Sequence, residues 1–178
     1  RVEPPVNVVT RTVIYMFSGA GRDKDLAQHL RATGLEKGMV VRVVEVDVIR
    51  NWVHELLRRD LQLAILSEIE HCLIDFLVFY PPCASWTRSR LNRMSKGPLP
   101  LRSKTHPWGF PWLTGVRKAK LMRANTLTKF AIRVIQAACM AKVGVMLEHP
   151  EDLGRHYTGA CPASIWQLPE LKNMAVRF

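Results

Sequence analysis

The sequence predicts an α/β fold built on a mostly parallel, twisted sheet with helices on both faces. Three stretches carry that expectation. Ile74 to Tyr80 is an apolar run interrupted only by Asp75, the pattern of a strand buried on both faces. Val40 to Val48, VVRVVEVDV, is rich in β-branched residues, which suit a pleated surface. Val13 to Phe17 is a short apolar run that enters Ser18-Gly19-Ala20-Gly21 and then a helical pattern. Strand, glycine turn and helix in that order open a nucleotide-binding βα unit, because glycines let backbone approach a ligand and the helix start offers free N–H groups.

Taken in order, residues 1–10 are expected to be an extended lead-in, since Pro4 and Pro5 oppose helix. Leu26, Ala27 and Leu30 give the first helix its apolar side, with Asp23 and Asp25 in its first turn and Gly34 after its end. Residues 54–57 read as either a short strand or a loop. Arg59 to Leu73 has helical periodicity through Leu61, Ala64, Ile65, Ile69, Cys72 and Leu73. Pro81 and Pro82 stop the central strand. Residues 91–114 form a long basic and aromatic loop with four prolines, Trp108 and Trp112, and a loop of that length is usually functional or mobile. Val116 to Ala141 reads as one helix, Gly144 to Leu147 as a short strand, and a final short helix begins near Pro169. No repeat, low-complexity tract or boundary divides the chain, so 1–178 reads as one domain.

The composition narrows the function classes. No apolar run reaches the ~18 residues that a membrane span needs, so no membrane partner is expected. Cys72, Cys83, Cys139 and Cys161 show no CxxC spacing; no metal site is expected, and the thiols read as reduced in an intracellular compartment. The chain starts without methionine and reads as a piece of a longer protein. Net charge is +11, and no Asp or Glu occurs between Phe76 and Leu147, where thirteen of the 26 Lys and Arg lie. A one-sign surface of that kind suits a polyanion, most simply nucleic acid. A solvated basic face is the plainer alternative.

Cys83 stands at the carboxyl end of the predicted central strand, where open α/β sheets place ligands and chemistry. Ser85, Thr87, Arg88, Ser89 and Arg90 follow it, so the thiol is a candidate nucleophile beside an anionic substrate. On spacing alone, a buried structural cysteine is the favoured reading. Glu45 and Asp47 end the second strand and could accept hydrogen bonds from ribose hydroxyls, or be solvated strand-end acids. Trp108 or Trp112 could stack on a base, or cover the core. Glu148 ends the last strand.

The three strand ends carry FSGAG, Pro82-Cys83 and Glu148 in that order. In this the chain resembles the cytosine-C5 DNA methyltransferases, with the closest likeness to a compact branch without an evident target-recognition domain. Five pieces bear it: Phe17-Ser18-Gly19, Pro81 to Arg90, Arg102 to Pro107 with Gly109 and Pro111, Arg123-Ala124-Asn125-Thr126-Leu127, and Trp166 to Glu170. The resemblance spans residues 13–172. It implies a Rossmann-like class I methyltransferase fold lacking room for the final sheet hairpin, with S-adenosylmethionine as cofactor.

Phe17, Ser18, Gly19, Gly21 and Pro82 would contact that cofactor, with Asp47 or Glu45 on its ribose. Cys83 would attack cytosine C6 and Glu148 would hold the base. Ser85, Arg88, Arg90, Arg93, Arg102, Lys104, Trp108 and Arg123 would contact nucleic acid, DNA favoured over RNA. A protein partner or a domain outside this sequence would supply target recognition, and location would be nuclear or nucleoid-associated. Here His149 replaces the family's Asn, Tyr15 stands where many members carry an acid, Arg22 interrupts the double glycine, and no Gln-x-Arg follows Glu148. A non-catalytic nucleic-acid-binding module on the same fold is therefore the competing expectation. An adenine or RNA methyltransferase is weaker, since the strand end reads Tyr80-Pro81-Pro82-Cys83.

Overall fold

Four strands pair into an all-parallel sheet: β1 (Val9–Met16), β2 (Met39–Val46), β3 (Phe76–Phe79) and β4 (Gly144–Leu147), in the order β2-β1-β3-β4. A computed structural model describes residues 8–91 and 97–175. The described residues form four α-helices: α1 (Leu26–Glu36), α2 (Arg59–Glu70), α3 (Gly115–Ala141) and α4 (Pro169–Ala175). The α/β class is as expected. The chain forms two compact units. Arg1–Phe79 with Ala137–Leu147 makes the first, which holds the whole sheet; Tyr80–Gln136 with Glu148–Phe178 makes the second.

In the first unit, β1 is central and pairs Tyr15 with Glu45 on one side and with Val78 on the other. Strand order reverses between β1 and β3, and in open parallel sheets that reversal marks the crevice where ligands bind. Val13 to Met16 and Leu77 to Phe79 are buried, which is why these strands read as continuous apolar runs. Asp75, the one polar residue in that run, ties the start of β3 to β1. Its carboxylate accepts from the Thr12 N–H at 2.7 Å and from Arg11 at 2.7 Å. The Thr12 N–H, more than Arg11, holds its pKa below the usual value.

Several boundaries differ from expectation. Gly34 lies inside α1 rather than past its end, because a Cβ there would come within 2.4 Å of Val41 Cγ2. Only glycine lets this helix lie so close to β2. The helix ends instead at Glu36, and Gly38, with φ +69°, turns the chain just beyond its cap Lys37. Residues 54–57 form no strand; a short 3-10 turn covers Trp52–His54. Helix α2 stops at Glu70 because Cys72 adopts φ +55° and the Leu73 N–H returns to the Glu68 carbonyl at 2.9 Å, a Schellman closure with cysteine in the glycine position. Lys142 closes α3 in the same way, at φ +58°.

In the second unit, residues 97–114 of the long loop are packed. Leu101, Leu113 and Leu121 form a buried cluster with Phe110 against it, and Ser103 pairs with His106. No helix of the described residues is long and apolar enough to cross a membrane.

Candidate functional site

The glycine turn belongs to the first unit. The Phe17 N–H extends the β1–β2 ladder to the Val46 carbonyl at 2.8 Å. Phe17 then takes φ +57° and Gly19 φ +69°, so the chain leaves the strand through left-handed backbone that a phenyl-bearing residue adopts only at a cost. Asp47, just past β2, holds the turn: its carboxylate accepts from the Gly19 N–H at 2.9 Å and the Ile49 N–H at 2.8 Å. Open space lies on the Cβ side of Gly19.

Arg50 spans the same turn. Its guanidinium donates to Ser18 Oγ at 3.0 Å and the Gly19 carbonyl at 2.8 Å. It pairs with Glu45 at 2.6 Å and Asp25 at 3.5 Å, and a Cβ on Gly21 would meet it at 3.3 Å. Glu45 also meets Arg31 at 3.4 Å. Of the two ribose-acid candidates, Glu45 is thus engaged by two guanidinium groups. Among the described residues the Asp47 carboxylate accepts two backbone bonds, which leaves lone pairs on its oxygens. Phe17, Ser18, Gly19 and Asp47 together fit a nucleoside-bearing cofactor; Arg50 would have to shift for Gly21 to join them. Nothing in the sequence pattern singles out Arg50, whose partners come from three separate segments.

Cys83 and Glu148 both lie in the second unit. That unit begins at Tyr80, one residue after β3, and resumes at Glu148, one residue after β4. Phe79 and Leu147 are register partners, so the segments carrying Cys83 and Glu148 start from neighbouring strand positions. The Cys83 carbonyl accepts from the Trp86 N–H at 2.8 Å and the Thr87 N–H at 3.1 Å. That turn leaves the thiol exposed, which removes the reading of Cys83 as a buried structural cysteine. Glu148 is exposed as well.

Beside them is a buried aromatic and cationic box that sequence reasoning did not find. Trp86 is 4% exposed, and the Arg102 guanidinium, on a residue 3% exposed, lies 3.7 Å from its ring centroid. Trp108 and His149 meet Trp86 edge-on at 6.2 and 6.0 Å, and Trp166 meets His149 at 6.5 Å. Arg102 donates to Ser85 Oγ at 2.7 Å and the Pro107 carbonyl at 2.9 Å. Burial above all, and then Arg90, push its pKa down to about 9, so it remains a cation at neutral pH. Burial likewise pushes His149 down to about 4, opposed by the Pro150 backbone and aided by Arg102. Among the described residues, neither ring nitrogen of His149 has a hydrogen-bond partner of good geometry. A neutral imidazole therefore stands where the family resemblance would have an amide.

The residues expected to touch nucleic acid differ in placement. Ser85 and Arg102 are buried in the box. Arg88 donates to the Leu153 and Arg155 carbonyls at 3.2 and 3.1 Å. Arg90 donates to the Ala84 carbonyl and, at 2.9 Å, to that of Leu99. Trp108 is half-buried beneath Lys129, whose Nζ is 5.2 Å from the ring centroid. Lys104 and Arg123 are exposed, and Arg93 lies outside the described residues. Of the two rings expected to stack on a base, Trp112 is the outward one, 67% exposed and stacked on Phe110 at 4.8 Å. Pro82 and Ala84, flanking Cys83, line a cavity of about 490 Å3 in the second unit. No group of His, Cys, Asp and Glu among the described residues could hold a metal ion.

No protein-family model, curated protein or solved structure matches the chain.

Proposed function

We propose that the protein is an S-adenosylmethionine-dependent methyltransferase of the class I Rossmann-like kind that acts on cytosine C5 in nucleic acid. The observation that carries the reading is the pair of segments leaving β3 and β4 at register partners Phe79 and Leu147, one bringing an exposed thiol and the other an exposed carboxylate. The strand order supports it, since β1 and β3 flank the reversal point of the sheet.

Phe17, Ser18, Gly19 and Asp47 would hold the cofactor, which supplies the methyl group when bound. The Cys83 thiolate adds to C6 of the cytosine, and the ring electrons shift to make C5 nucleophilic. Glu148 accepts a hydrogen bond from the amino group and shares a proton with the ring N3, and so steadies the charge that builds during addition. After C5 takes the methyl group its proton passes to water, the electron pair of that C–H bond re-forms the C5–C6 double bond, and the thiolate leaves C6. A duplex target must first leave its stack, at a cost of a few kcal/mol that the basic face of the second unit would offset.

The test is transfer of a radiolabelled methyl group from S-adenosylmethionine to duplex DNA, single-stranded DNA and RNA, followed by nucleoside analysis. Label should appear in 5-methylcytosine, and Cys83→Ser should abolish it without loss of cofactor binding. Full-rate transfer by that variant sinks the thiol mechanism.

Arg50 favours a second reading, a non-catalytic nucleic-acid-binding module, because its guanidinium spans the glycine turn. Calorimetry separates the two. Absence of S-adenosylmethionine binding alongside salt-sensitive DNA binding supports the module.

A further inference from the structure

We propose that the cavity beside Cys83 binds a phosphorylated nucleoside unit, with Arg117, Lys120 and Arg123 on its phosphate. The proposal deepens the nucleic-acid part of the function above and rests on it, but does not require methyl transfer.

The cavity, of about 490 Å3, has the size of a small-ligand pocket. Arg90, Arg117, Lys120 and Arg123 line it, and among the described residues no acidic one does. Apart from Ser85, the rest of its lining is apolar: Pro82, Leu99, Leu101 and Leu127 among them. Cations and hydrocarbon in one lining match a nucleotide, which is anionic at the phosphate and flat and largely apolar at the base faces.

The placement of the charge argues for an occupant. Arg117, Lys120 and Arg123 fall at i, i+3 and i+6 in the first turns of α3, which contains no acidic residue at all. Like charges at that spacing repel by a few tenths of a kcal/mol per pair. Cations near a helix start also oppose the macrodipole. Arg90 adds a fourth positive charge, and its hydrogen bonds go to neutral carbonyls that leave the charge uncompensated. A bound phosphate relieves each of these repulsions at once.

The test uses the full chain with labelled oligodeoxycytidylate and with CTP as probes, followed by fluorescence anisotropy and calorimetry over a range of salt. The double variant Arg117→Gln/Lys120→Gln changes exposed side chains, so the fold should persist. It should weaken oligonucleotide binding about tenfold or more and reduce the log–log salt slope by about one per cation removed. Lys118→Gln/Arg133→Gln, on the same helix but outside the cavity lining, should change both much less. CTP binding that the double variant loses identifies a single-nucleotide site; binding of the oligonucleotide alone identifies a strand site. Equal effects of the two double variants, or no binding of either probe, overturn the proposal. Cys83→Ser should leave binding intact, so loss of methyl transfer and loss of this site are separate results.

Discussion

The two units treat positive charge in opposite ways. Over Arg1–Phe79 with Ala137–Leu147, eleven Lys and Arg face eleven Asp and Glu; over Tyr80–Gln136 with Glu148–Phe178, fifteen face four. The net +11 of the chain therefore resides in the second unit. In the first, guanidinium groups meet carboxylates: Arg11 with Asp75, Arg31 and Arg50 with Glu45, Arg50 with Asp25. In the second, Arg88, Arg90, Arg102 and Arg155 donate to backbone carbonyls. A carbonyl satisfies a donor but cancels no charge. The second unit can thus fix its arginines in place and still present a positive field, which is what an anion-binding surface requires.

The sharpest way to break this comparison is at Arg102. Arg102→Ala removes the cation over Trp86 and leaves buried groups near it without partners, so it should cost about 3 kcal/mol, read as a fall in the urea midpoint. Arg102→Met keeps much of the packing and should cost less than half as much. Equal losses would show that charge, not packing, holds the box.

Acid should act on the units in two separate steps. The His149 pKa is about 4 in the fold against an ordinary 6.5, so only the unfolded chain takes up its proton between those values. Its contribution, on the order of 3 kcal/mol, is present above pH 6.5 and lost as pH falls toward 4. His149→Phe should flatten that part of a stability–pH curve. Asp75, held below its ordinary 3.8, keeps its contribution until the pH drops beneath that value.

Arg50→Ala should cost about 1 kcal/mol, since its ion pairs are partly exposed. Amide exchange at Gly19 should quicken. Under the proposed methyltransferase reading, affinity for S-adenosylmethionine should rise severalfold, because the guanidinium no longer spans the turn; a fall would make Arg50 a cofactor contact instead. The smallest effect is expected at Arg11→Ala. Its pair with Asp75 is largely exposed and should contribute about 0.5 kcal/mol at low salt and nothing measurable at high salt.

Much of the fold was legible because long periodic segments announce themselves. Gly144 to Leu147 is the strand expected, and α3 begins one residue before its predicted start. Gly34 was misread because a glycine near a helix end looks like a cap, and only the nearness of Val41 shows its packing role. The exposure of Cys83 depends on the turn after Pro82, which spacing does not encode. The box around Trp86 and the latch of Arg50 join residues far apart in sequence, and an arginine that will meet a carbonyl looks the same as one that will meet a phosphate. The two units have no linker to betray them, because the chain passes between them at the ends of strands and within α3.

That interleaving has a consequence for how the protein is made. β3 finishes at Phe79, but its neighbour β4 does not begin until Gly144. On the ribosome, the nascent chain must hold one flank of β3 bare while the entire intervening stretch is synthesised. An unpaired parallel edge of Phe, Leu and Val is an invitation to other chains. Early termination inside α3 would leave a sheet that is three-quarters built and prone to aggregate, so yield in expression should track completion of the last strand.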